Sequence, residues 1–318
     1  MLGTPTTPGF FYFMDYTKAL IRCSALGQIM TDPRGKTDAD RYVDALEELA
    51  IEEAKYEQMP NKQLKTAQNK LDKINRLKEY IDELAKTKDE IVLSETCKTY
   101  LIQTYALSRY GRIREVTTKQ MIKGTISEED AIQLFSILDG KLYNKNTDRI
   151  SNDYICGTPD LYDTDDLFNC NEIIDIKSCW DIFTFLSNVQ NPENDQYYWQ
   201  LQGYMALTGA KIGTIAYCLV NTPDSIIEGE KYALLRRMDV VTEEDPDYKK
   251  ELNLLLANRY FDDIPMQERL LTYSIERNED DILKIYRKVQ KCREYLLEFE
   301  EKHLKFCKHY RKRLFAVE

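Results

Sequence analysis

The stretch Ile155–Cys179, ICGTPDLYDTDDLFNCNEIIDIKSC, decides how the chain is read. Two runs within it, Tyr154 to Tyr162 and Asn171 to Lys177, carry the β-branched and aromatic residues of strands. The polar DTDDLFN between them reads as the link of a hairpin. Side chains alternate faces along a strand, so Asp175 and Lys177 share one face and Ile174 and Ile176 the other. Asp160 lies near the end of the first strand and comes close to Asp175 if the two strands pair. Two carboxylates brought together repel unless a cation or a shared proton lies between them. Oxygen-only ligands suit Mg²⁺ or Mn²⁺. A lysine beside them can orient or deprotonate a water, while a metal stabilises charge on a phosphate. The plainer alternative is a surface hairpin with polar residues on its wet face.

Around this stretch the chain alternates between helical and β patterns. KALIRCSALGQIMT reads as the start of a helix with Ser24 as its cap. From Asp38 to Lys88 the pattern is of long helices broken at Pro60. In the second of these, Leu64, Ala67, Leu71, Ile74, Leu77, Ile81 and Leu84 recur every three or four residues. The favoured reading is a helical hairpin packed on itself or on the body; a partner-binding coiled coil is the alternative. A helix follows from Val92 to Ser108. SEEDAIQLFSIL starts another, with Ser127 as N-cap and Asp130 three residues on. NDQYYWQLQGYMALTG reads as a helix capped by Asn194 or Asp195 and ended by Gly209. IGTIAYCLVNTP is β-rich, and KYALLRRMDVV and RLLTYSIER read as further strands. NEDDILKIYRKVQKCREYLLEFEEKH is a long terminal helix begun by Asn278, with Asp281 as its capping-box partner.

The expected fold is therefore α/β (α+β): a mixed central sheet flanked by helices. The organisation expected is a single domain over 1–318. It comprises an inserted helical hairpin at 38–88, a core at 92–240 and a C-terminal helical region at 241–318.

Composition narrows the class of protein. The chain has 318 residues, 43% apolar and 31% charged, enough to bury a substantial core. It has no run of 18 apolar residues, so no membrane span is expected. The segment MLGTPTTPGFFYFMDY lacks the basic region and long apolar stretch of a secretory signal. Eight cysteines are scattered with no CxxC pair, which argues against a zinc ribbon and disfavours an iron–sulfur cluster. Such cysteines fit the reduced thiols of a cytoplasmic protein. The net charge of −10 is only a weak argument against a nucleic-acid partner, because binding depends on local patches. Basic residues gather at SRYGRIREVTTKQMIKG and at EKHLKFCKHYRKR; a solvated helix face is the simpler reading of the second run.

Taken together, RCSALG, KGTISEEDAI, GTPDLYD, IIDIKSC and YYWQLQGYMALTG resemble the PD-(D/E)xK nuclease superfamily, and within it the phage lambda exonuclease and YqaJ-like viral recombinase branch. The resemblance spans roughly Arg22 to Gly209 and leaves the hairpin at 38–88 without a counterpart. It implies a restriction-endonuclease-like fold and Mg²⁺- or Mn²⁺-dependent hydrolysis of phosphodiester bonds. Asp160 and Asp175 would bind the metal, with the Ile176 carbonyl as a further ligand. Lys177 would position or activate the attacking water. Glu128 would be the helix carboxylate at a second metal position, with Glu129 the competing choice. Gln200 and Tyr204, four apart on one helix face, match the Q-x-x-x-Y motif of RecB-like nucleases, which supports the site and contacts DNA. Arg22 and Ser24 fall where relatives place a polar cluster near the DNA end. Asp175 stands where a glutamate is commoner, and its shorter arm bears on metal preference.

The resemblance also implies double-stranded DNA ends as substrate, digestion from the 5′ end, a ring-shaped homo-oligomer and a single-strand annealing protein as partner. Two other classes stay open at this stage. One is a RecB-like endonuclease, CRISPR-associated or repair nuclease. Some of these hold an iron–sulfur cluster; Cys23, Cys292 and Cys307 stand in suggestive places, but the tight C-terminal cysteine group is missing. The other is a non-catalytic DNA-binding or scaffold protein.

Overall fold

The computed structural model describes residues 15–314, so the reading of MLGTPTTPGFFYFMDY falls almost wholly outside the described residues, as do the side chains that close the C-terminal basic run. The chain divides into two compact units, one made of residues 31–101 and the other of the remainder.

The smaller unit holds α2 (Asp38–Glu57), α3 (Lys65–Thr87) and the first part of α4 (Glu95–Tyr110); the preceding α1 (Leu26–Met30) belongs to the larger unit. Thr37 and Asp40 form a reciprocal capping box that starts α2. Ala45 from α2 and Ile81 and Leu84 from α3 form the packed seam. Glu52 is buried beside it and meets the ammonium groups of Lys70 at 2.6 Å and of Lys55 and Lys73 at 3.4 Å. Those ion pairs, the Lys70 hydrogen bond first, hold its carboxyl down at about 2.

The larger unit contains two sheets. β1 (Ile21–Arg22), β2 (Ile150–Ser151) and β3 (Ile155–Gly157) form a small one in the order β1-β3-β2. β4 (Leu161–Tyr162), β5 (Glu172–Ser178), β6 (Ile212–Cys218) and β7 (Leu270–Glu276) form the main one in that order. β5 pairs antiparallel with β4 and parallel with β6, with Asp175 opposite Ile215 and Lys177 opposite Tyr217. A parallel pair needs a crossover. It is supplied by α7 (Ile182–Gln190) and α8 (Asp195–Thr208). α5 (Lys119–Ile126) and α6 (Glu128–Asp139) lie between β1 and β2 in the chain, while α9 (Asp224–Met238), α10 (Pro246–Ala257) and α11 (Glu279–Leu314) follow β6.

Both faces of the main sheet are covered, as the near-continuous burial of β5 requires. On one face Ile174, Ile176, Ala216 and Cys218 pack with Ala131, Ile132, Leu134 and Phe135 of α6. On the other face Gly213 lies against Leu201 and Met205 of α8 and against Ile173. Asp175 and Lys177 share the α8 face by alternation.

Several expectations need correction. The run expected as one strand from Tyr154 to Tyr162 is two, β3 and β4, in different sheets. The break falls at Thr158-Pro159-Asp160, where proline has no amide to give a ladder. KYALLRRMDVV is not a strand but the second half of α9 and its exit. Ile226, Ile227, Glu230 and Leu234 are buried at helical spacing, and Asp239 closes the helix at positive φ. RLLTYSIER is a strand as expected, β7, and completes the main sheet from within 241–318, the region expected to be helical. Ser24 caps no helix and sits inside a 3₁₀ turn, Cys23–Ala25, that leads into α1. Ser127 makes no capping bond; its hydroxyl donates to the Lys123 carbonyl where α5 runs into α6. Asn278 does cap α11, accepting from the Asp281 amide, but the return bond of a capping box is absent. The Asn278 amide donates instead to Gln202 of α8, whose own amide donates to the Glu276 carbonyl, so the buried Gln202 ties α8 to the junction of β7 and α11.

Candidate active site

The break at Pro159 turns the chain from the small sheet into the main one and leaves Asp160 at its corner. Leu161 pairs with Ile174, so the residue before β4 stands against Asp175 and Ile176. Asp160 Oδ2 accepts the Ile176 amide at 2.8 Å. The corner is held from behind by Asn146, which is buried. Its amide donates to the Asp160 carbonyl and its Nδ2 to the Pro159 carbonyl, both at 2.8 Å.

Asp175 is 1% exposed. Its Oδ1 accepts from Gln200 Nε2 at 2.9 Å, and the same amide nitrogen donates to the Tyr204 hydroxyl at 3.1 Å. Its Oδ2 is buried and has the Lys177 ammonium, 2.5 Å away, as its one partner. That ammonium also lies over the ring of Tyr197, 5.0 Å from its centroid. Close approach of α8 depends on two glycines. A Cβ on Gly157 would stand 2.6 Å from Tyr204 Cε1, and one on Gly203 would stand 2.4 Å from Leu26 Cδ1.

The electrostatics follow from this crowding. Burial, and then the charge of Asp175, push the Asp160 carboxyl up to about 7. Burial alone would lower Lys177, but the Asp175 charge and then Asp160 more than offset it and hold it as an ammonium. In this state Lys177 is a donor and a charge, not a base. Burial and the nearby Asp175 charge also raise the Tyr204 phenol, which stays protonated.

The structure thus gathers Asp160, Asp175, Lys177, Gln200 and Tyr204, with Ile176 as the residue that links the two carboxylates. Glu128 heads α6 close enough for its charge to act on Asp160, but its carboxylate is turned to Lys145, 2.5 Å away. Among the described residues no three His, Cys, Asp or Glu side chains stand close enough to hold a metal ion together. Asp160 and Asp175 thus stand together, and Glu128, expected at a second metal position, lies beside them with its carboxylate on Lys145. Arg22 and Ser24 are exposed at the end of β1 and in the 3₁₀ turn, and neither joins this hydrogen-bonded group. Lys145, Asn146 and Tyr197 complete the surroundings, and the sequence patterns did not single them out. All eight cysteines are free, and seven are buried.

The donor set fits a hard divalent cation. Mg²⁺ takes oxygen ligands, keeps several waters and commonly binds through one or two carboxylates. Two adjacent carboxylates, with one buried oxygen partnered by the Lys177 ammonium alone, form such a set.

No protein-family model matches the chain, and no curated protein matches it either. Solved structures do. A phage-related exonuclease from Haemophilus somnus 129PT superposes with a TM-score of 0.55 at 22% identity, over 90% of this chain and 97% of that one. The alkaline exonuclease LHK-Exo from Laribacter hongkongensis gives a TM-score of 0.45 at 17% identity, over 70% of this chain and 89% of that one. Its structure in complex with dAMP gives 0.44 over 70% and 88%. The fold is shared with that phage-related exonuclease, as the motifs led one to expect. No helix among the described residues is long and apolar enough to cross a membrane.

Proposed function

We propose that the chain is a divalent-metal-dependent deoxyribonuclease that digests linear duplex DNA from its 5′ ends. The observation that carries this reading is the pairing of Asp160 with Asp175 beside Lys177, on a fold shared with a phage-related exonuclease.

Asp160, Asp175 and the Ile176 carbonyl would hold the first Mg²⁺ or Mn²⁺, and Glu128 would serve a second position. A bound divalent cation supplies Lewis-acid stabilisation of charge on the phosphate. The chain's own groups do the rest. Gln200 holds Asp175 through Oδ1 and leaves Oδ2 to Lys177. Tyr204 fixes the Gln200 amide in turn. Lys177 presents an ammonium that orients a water for in-line attack and counters the charge gathering on phosphorus. Tyr197 beneath it limits where the long side chain can swing. Arg22, Ser24, Gln200 and Tyr204 are assigned to DNA contact.

The wider reading is a cytoplasmic enzyme acting on DNA ends during phage-type recombination or repair. It acts as a ring-shaped homo-oligomer that passes the exposed strand to a single-strand annealing protein. The free, mostly buried thiols fit a reducing compartment.

The experiment is digestion of linear duplex DNA labelled at one 5′ end, beside closed circular DNA, with and without Mg²⁺ or Mn²⁺. Metal-dependent release of labelled mononucleotides from linear DNA only, lost in Asp175→Asn, is the expected result. Cutting of the circle would replace this reading with an endonuclease. No cleavage with either metal would replace it with a DNA-binding protein.

A further inference from the structure

The ion pair between Lys145 and Glu128 differs in kind from the helix-surface pairs of this protein. Lys231–Glu228 and Lys305–Glu301 join residues three or four apart on one helix. Such pairs contribute little. Lys145 and Glu128 are 17 residues apart and bridge two elements: Glu128 opens α6, and Lys145 lies in the loop between α6 and β2.

That loop is fixed to the catalytic corner. Asn146, the next residue, is 7% exposed and grips the carbonyls of both Pro159 and Asp160. Its Oδ1 also accepts the Asp148 amide at 3.0 Å, which closes the loop on itself. The backbone that carries Lys145 therefore cannot move without disturbing Asp160. The ammonium sits in a field of carboxylates. Glu128 acts on it most, through the hydrogen bond, and Asp160 and Glu129 add to the pull that raises it above the usual lysine value. These are the charges that a divalent cation at the same corner would need.

We propose that Lys145 is a positioning residue that holds Glu128 in the metal-free protein, competes with the divalent cation for that carboxylate, and is freed by metal binding to meet a phosphate of the cleaved strand. The proposal rests on the divalent-metal site of that reading throughout and on its nuclease activity for the second half. An ammonium and a divalent cation cannot both take full charge from one glutamate. Occupation of the corner by metal therefore weakens the pair. The released ammonium stays within a side chain's length of the corner, because Asn146 keeps its backbone there.

The test is calorimetric titration of Mn²⁺ alone into wild type, Lys145→Met, Lys145→Arg and Glu128→Gln, with thermal melts to establish folding. Lys145→Met tightens Mn²⁺ binding by about fivefold, the worth of a partly exposed ion pair. Lys145→Arg behaves as wild type because it keeps the charge. In the Glu128→Gln background, Lys145→Met brings no gain. At saturating Mn²⁺, Lys145→Met nevertheless cleaves DNA more slowly than wild type. Tighter metal together with slower turnover is a combination that loss of mere scaffolding would not give. Unchanged or weaker Mn²⁺ binding in folded Lys145→Met, with an active wild type, overturns the proposal and leaves the nuclease reading intact. Wild type that binds Mn²⁺ but cleaves nothing overturns the nuclease reading and leaves the competition for Glu128 to be judged by the titrations. Absence of Mn²⁺ binding in both proteins overturns both.

Discussion

Asp160 Oδ2 accepts the backbone amide of Ile176, the residue between Asp175 and Lys177, at 2.8 Å. This one bond sets the separation of the two carboxylates. It ties a side chain from the corner at Pro159 to the backbone of β5, so the site is positioned by strand pairing rather than by flexible loops. A pair of carboxylates built this way is held together at an electrostatic cost that a cation or a proton relieves.

Replacing Asp160 by Asn keeps an acceptor for the Ile176 amide and removes the charge. Burial and Asp175 put the folded-state carboxyl of Asp160 at about 7, above its unfolded value near 4. Between those values the folded protein keeps a proton that the unfolded chain loses. The stability of the metal-free wild type therefore falls as pH rises through that window. Asp160→Asn lacks this loss. Its melting temperature should match wild type near pH 4, exceed it increasingly up to pH 7, and hold a constant lead above. Cleavage should fall by two or more orders of magnitude, the usual scale for a lost electrostatic group. A melting temperature below wild type at pH 8 would show that the charge is not a burden to the fold.

The same proton competes with metal. Binding should tighten by up to about tenfold per pH unit from 5 to 7, level off above, and release protons. Titrating Mn²⁺ in two buffers of different ionisation enthalpy measures the proton count directly. Affinity independent of pH across this range would argue that Asp160 is no ligand.

Glycine supplies a test of how closely α8 must approach. In Gly157→Ala the new methyl would stand 2.6 Å from the ring of Tyr204 and 3.0 Å from Cys23 Sγ. Overpacking of this kind costs about 1–3 kcal/mol, and here it displaces the tyrosine that fixes Gln200. Stability and cleavage should fall together. Gly124→Ala is the matched control. It lies within α5 with open space around it, and should gain about 0.5–1 kcal/mol with activity unchanged. Urea melts of the two variants decide the point, and a neutral Gly157→Ala would mean that α8 has room to move.

The parts of the site that sequence made legible are those with a period. Asp175 and Lys177 follow from strand alternation, and Gln200 and Tyr204 from helical spacing. Asp160 follows from a proline at a strand end. Lys145 and Asn146 sit in GKLYNKNTDR, a loop without periodicity, where nothing local marks a buried asparagine. Asn146 acts through Pro159 and Asp160 and Lys145 through Glu128, all more than ten residues away. The misreading of KYALLRRMDVV has a similar origin. Paired Leu and Val residues satisfy a strand pattern, while the burial that makes α9 a helix begins upstream at Ile226. Tertiary contacts outweighed local propensity there.

Asn146 allows the corner to be loosened without touching a carboxylate. Asn146→Ala removes the Nδ2 donor and leaves the buried Pro159 carbonyl without that bond, while the backbone bond to Asp160 can persist. An unsatisfied buried acceptor costs about 1–3 kcal/mol. Asn146→Asp should be no better, because a carboxylate would face the same carbonyl oxygen and repel it. Both variants should lose stability, and both should also show a smaller Mn²⁺-induced rise in melting temperature than wild type. That second effect separates a role at the corner from a general loss of packing. Weaker hold on Asp160 costs metal affinity as well as fold, whereas a remote destabilising change lowers the melting temperature and leaves the metal-induced rise in place. Melting curves with and without Mn²⁺ therefore decide it, and a full metal-induced rise in folded Asn146→Ala would show that the corner is held by its backbone alone.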